Sequence, residues 1–166
     1  MSWTDIPSSN VTLLPYLGTG TLTLNSIKLL RYTVLSTDVM TLAFRIHVSF
    51  GGTGSLSGVI LDLAIPYRGI FVTTADSLSS TPPDGGLTFT NWCLIRPDRG
   101  GLGVVPGLVS LVNRRPSAGN MQILIRHVGP NNINPLGEMS LIGELTLQVA
   151  AKVAAKGVKA KRKTNR

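Results

Sequence analysis

Between Met40 and Phe50 the chain alternates without a break. Met40, Leu42, Phe44, Ile46, Val48 and Phe50 hold the even positions, and Thr41, Ala43, Arg45, His47 and Ser49 hold the odd ones. Successive side chains of a strand point to opposite faces, so extended backbone places six large apolar groups on one side. A helix would scatter the same residues around its circumference. This stretch therefore predicts a strand with one buried face. After "GGTGSLSG", Gly51 to Gly58, the alternation resumes on odd numbers: Val59, Leu61, Leu63 and Ile65 inward, Asp62 outward, ending at Pro66 and a "PYRG" turn. Two alternating strands joined by a glycine-rich bend predict an antiparallel hairpin. A phosphate loop would instead lead into a helix and carry a lysine, and neither is present here.

Shorter strand signals flank this centre. "GTGTLTLNS" and "KLLRYTVLS" precede it; "GIFVTTA", "GGLTFTNWCLI", "GLVSLVN" and "NMQILIRHV" follow it. Turn-forming clusters of Pro, Gly, Asp and Asn separate the later ones. In "EMSLIGELTLQV" Met139, Leu141, Leu145, Leu147 and Val149 share one parity, and Ser140, Glu144, Thr146 and Gln148 share the other. Roughly eight strands with no helix before Ala150 predict an all-β antiparallel sandwich of jelly-roll type. The 166 residues suit one such domain. The expected division is an N-terminal arm or edge strand over 1–16, the sandwich over 17–150 and a basic tail over 151–166.

The charge is concentrated at one end. From Lys152 onward there are seven basic residues and no acidic one; the rest of the chain carries nine basic and eight acidic residues. The basicity thus belongs to a tail, and Lys152, Lys156, Lys159, Lys161, Arg162, Lys163 and Arg166 are the candidate contacts to nucleic acid or another polyanion. No run reaches the roughly 20 apolar residues of a membrane helix, and the N-terminus lacks the layout of a secretory signal, so no membrane insertion is expected.

Candidate chemistry is sparse. Cys93, the single cysteine, lies in an apolar stretch and reads as a small buried residue. His47 falls on the polar parity of its strand, as a solvated or interface histidine, and neither it nor His127 has a second ligand-type residue at local metal-binding spacing. The acidic residues fall mostly in turns. No enzyme activity, cofactor or metal is expected, and the chain is expected to form homo-oligomers.

The stretch from Tyr32 to Pro66 combines an aromatic-led strand, a turn at Ser36 to Asp38, Val39 with Phe44 and Ile46, a Gly/Ser bend and the pair Ile65-Pro66. In this it resembles a module common in bacteriophage tail-fibre and other virion β-sandwich proteins. Those modules follow a fibrous shaft and lack a basic end, whereas small jelly-roll capsid proteins carry a basic arm that faces the genome or a neighbouring protein layer. The resemblance implies a virion structural protein: a capsid component of penton or minor capsid type, pentameric or trimeric, contacting other capsid proteins, with its tail inward. The alternative it implies is a receptor- or glycan-binding fibre or spike tip acting in host attachment, using loop residues such as Tyr67, Trp92 and Arg99.

Overall fold

The computed structural model describes residues 2–16, 18, 20–51, 57–70, 88–97, 104–112, 119–127 and 137–153. They form β1 (Thr4–Asp5), a 3-10 turn (Ser8–Asn10), β2 (Val11–Tyr16), β3 (Thr21–Ser36), β4 (Val39–Gly51), β5 (Gly58–Leu63), β6 (Tyr67–Gly69), β7 (Thr88–Pro97), β8 (Val105–Val112), β9 (Met121–His127) and β10 (Gly137–Ala151). Every pairing is antiparallel. The ladder runs β1-β3-β4-β10-β7-β8-β9-β5-β2, with β6 beside the C-terminal end of β10.

The two halves of this ladder share one core. Leu42, Phe44 and Ile46 of β4 and Leu141 and Leu145 of β10 belong to the same buried cluster as Leu61 of β5 and Ile123 of β9. The fold is an all-β sandwich, and the even face of β4 lies inside it as its alternation requires. Burying side chains of this size contributes about 1.5–3 kcal/mol each.

The hairpin expectation does not hold. β4 pairs with β3 and β10, whereas β5 pairs with β2 and β9. The chain therefore passes from one half of the sandwich to the other between Gly51 and Gly58. Alternation identifies a buried face but does not name the partner strand, and two strands in opposite halves bury the same kind of face. Gly58 ends this passage in a tight place: a Cβ there would lie 2.6 Å from the Ile125 carbonyl oxygen. Residues 52–56 of the bend lie outside the described residues.

Other boundaries shift for local reasons. The two strands expected before Ser36 are one, β3, which absorbs irregularities in its register with β4 at Leu24/Ser26, Ile27/Leu29 and Val34/Ser36. Such bulges let one long strand bend around a core without ending. The "PYRG" segment contains β6 rather than a turn alone, because Tyr67, Arg68 and Gly69 pair with Ala151, Ala150 and Val149. The part of "GIFVTTA" beyond Ile70 lies outside the described residues. The N-terminal segment supplies both ends of the ladder, β1 beside β3 and β2 beside β5. Trp3 there stacks on Arg31, with the guanidinium 4.5 Å from the ring centroid.

Candidate assembly interface

The outer surfaces of the two halves differ. On the β2-β5-β9-β8 half the outward parity carries Tyr16, Ile60, Val112 and Leu124, which form a second apolar cluster and are buried within the chain. Beside them Asp62 also faces outward but is buried; it accepts hydrogen bonds from Asn120 Nδ2 at 2.6 Å and Gln122 Nε2 at 2.8 Å. The expected parity of Asp62 is right, while its solvation is replaced by two amide donors.

Across β7 and the adjoining strand β8, by contrast, three large outward apolar groups are exposed, and Ile142 of β10 beside them is half-buried. Trp92 is 46% exposed, Leu94 37% and Leu108 43%. Register shows that they adjoin. Leu94 stands opposite Ile142 of β10 on one side and Pro106 of β8 on the other; Trp92 stands opposite Glu144. Continuing the β7–β8 register sets Trp92 against Leu108. Cys93 and Ile95, between these residues, point the other way into the core.

Polar and charged residues frame this stripe. Ile142 has Arg45 opposite it on β4, and Ser140 lies between His47 and Arg96. Arg126 is opposite Leu108. Lys28, Arg45, His47, Ser26 and Ser140 line an open depression at one end of the face. His47 Nε2 is 3.6 Å from Glu138 Oε2, and the imidazole is partly exposed, as the polar parity of its position implies. Among the described residues, Arg45, Arg96 and Glu144 have no ion-pair partner. A body that is almost neutral along the sequence thus presents Lys28, Arg45, Arg96 and Arg126 on the outward parity, against Glu138 and Glu144.

Of the seven tail cations only Lys152 falls within the described residues. Its backbone N–H donates to the Pro66 carbonyl at 2.9 Å and its side chain is half-buried. Burial lowers the ammonium pKa, and the Asp62 carboxylate opposes that shift. The root of the tail is therefore tied to the body beside β5. Lys156, Lys159, Lys161, Arg162, Lys163 and Arg166 lie outside the described residues, as does Arg99. The side chain of Tyr67 is not displayed on a loop: it is half-buried and meets Tyr32 edge-on, ring centroids 5.7 Å apart at 68°. Trp92 is exposed, but from the middle of a strand.

Compared with known proteins, the chain matches no family model, no curated protein and no solved structure.

Sequence reasoning passed over the stripe itself, although two signals mark it. Ile142 breaks the polar parity of "MSLIGELTLQV", and "NWCLI" is apolar on both parities. A strand that is apolar on both faces is buried on both or offers one to a partner. An exposed tryptophan among aliphatic residues with arginines at the margin has the composition found at the energetic centres of protein–protein contacts.

Proposed function

We propose that this protein is a non-enzymatic structural component of a virion, a capsid protein of penton or minor capsid type with a jelly-roll-like sandwich. It assembles with copies of itself and with other capsid proteins through the sandwich, and its basic tail contacts nucleic acid or an acidic inner layer. The observation that carries the reading is the stripe of exposed Trp92, Leu94 and Leu108 with half-buried Ile142, on a body whose other outward apolar cluster is already buried. The virion assignment is supported by the resemblance of Tyr32 to Pro66 to virion sandwich modules and by the seven cations from Lys152 onward.

The tip-domain alternative draws less support. It needs aromatic residues on loops, whereas Tyr67 packs against Tyr32 and Trp92 belongs to β7. Native mass measured with and without nucleic acid tests the proposal. Homo-oligomers that also take up nucleic acid support it, and a monomer under all conditions argues against it.

A further inference from the structure

We propose that two copies of this chain pair face to face across the Leu94–Ile142 row, about a two-fold axis lying along that row and perpendicular to the strands. This rests on the self-assembly reading above and adds to it the surface, the symmetry and the contacts.

Leu94 and Ile142 stand opposite each other. Two residues away on one side lie Arg96 and Ser140, and two residues away on the other lie Trp92 and Glu144. Neighbouring strands are about 4.8 Å apart, and two residues along a strand span about 6.8 Å. A two-fold axis along the central row exchanges the flanking rows. Trp92 of each copy then faces Arg96 of the other, a guanidinium on an indole face. Glu144 faces Ser140 of the second copy, between that copy's His47 and Arg96. Leu94 meets Leu94 and Ile142 meets Ile142. The two Arg45 side chains approach each other at the axis, and each lies one strand and one row from the second copy's Glu144.

The competing two-fold axis, parallel to the strands between β10 and β7, matches less well. It sets Trp92 on Glu144, a carboxylate against the negative face of an indole, and leaves Arg96 on Ser140. Both arrangements keep the strands of the two copies aligned, a common way for sheet faces to meet, so the facing side chains decide between them. The patch is small, on the order of 250 Å² in plan from the strand spacings. That is well below the roughly 800 Å² per partner of a standard interface. One pair is therefore weak in isolation, and repetition across a shell supplies the avidity.

The test uses the full chain with Trp3→Phe, so that emission reports Trp92, and follows mass by sedimentation up to about 500 µM, a range suited to weak pairs. Pairing shifts Trp92 emission to the blue and reduces its quenching by iodide as mass rises. R96E and E144R each weaken association at least about tenfold while leaving the melting curve of the monomer in place. Mixing the two variants restores pairing to within about threefold, because each mixed pair contains both opposite-charge contacts. Three outcomes overturn the inference. Assembly unaffected by either variant removes this pairing but leaves self-assembly standing. A monomer at every concentration removes both. A monomer whose Trp92 is quenched by oligothymidylate shows that the face takes single-stranded nucleic acid instead.

Discussion

Gly143 lies directly opposite Phe44 across β10 and β4, and the Phe44 ring fills the space that a side chain at 143 would need. A Cβ on Gly143 would sit 2.5 Å from Phe44 Cζ and 2.6 Å from the Trp92 carbonyl oxygen. The glycine lets the largest fully buried side chain of β4 lie flat over the backbone of its neighbour. Overpacking a filled site costs about 1–3 kcal/mol. Gly143→Ala is expected to fall in that range by urea unfolding. Adding Phe44→Leu is expected to recover only part of the loss, since the Trp92 carbonyl stays in place.

Asp62 holds Asn120 and Gln122 from the centre of the other outer face. Asp62→Ala leaves two amide donors without their acceptor, a loss of about 2 kcal/mol or more. The measurement is the shift in urea midpoint at constant slope. A midpoint unchanged from the parent would show that water replaces the carboxylate without cost.

Cys93 gives the body a signature at alkaline pH. Burial pushes its thiol from 9.0 up to about 12. An acid whose pKa is raised by folding remains protonated in the native state while the unfolded chain ionises. Its contribution is complete below pH 9 and is lost as pH rises from there towards 12, by at most about 1.4 kcal/mol per unit. Relative to Cys93→Ala, the parent should lose stability over that window, and its thiol should react with a disulfide reagent only after denaturation. Rapid labelling of the native protein would contradict the burial.

The tail acts through charge. Deleting Gly157 to Arg166 removes Lys159, Lys161, Arg162, Lys163 and Arg166. The melting temperature is expected to be unchanged. The slope of log affinity for duplex DNA against log salt should fall in magnitude by about 4.5 if all five touch phosphate. Retention of the full slope would place polyanion binding on the sandwich instead.

The reach of the sequence differs from element to element. Residues Met40 to Phe50 announce their buried face because period two is a local property, and the same is true of Met139 to Val149. β4 pairs with β3 across the turn at Thr37 and Asp38 and with the distant β10, and period two names neither partner. β5 offers an identical apolar face, and only the closing of two half-sheets over one core decides that they lie in opposite halves. β6 is too short to have a period, so Tyr67 to Gly69 read as a turn. Cys93 was legible as a buried residue from its neighbours. The stripe on the outer face was not, because Trp92, Leu94, Ile142 and Leu108 come from three strands and adjoin only through register.

Self-assembly is the central claim, and the native mass of the full chain, followed from low to high micromolar concentration, tests it most directly. The mass is expected to rise above that of one 17.6 kDa chain with concentration and to fall back when Trp92 is replaced by Ser. A chain that remains monomeric throughout, with Trp92 freely quenched by iodide, would contradict it.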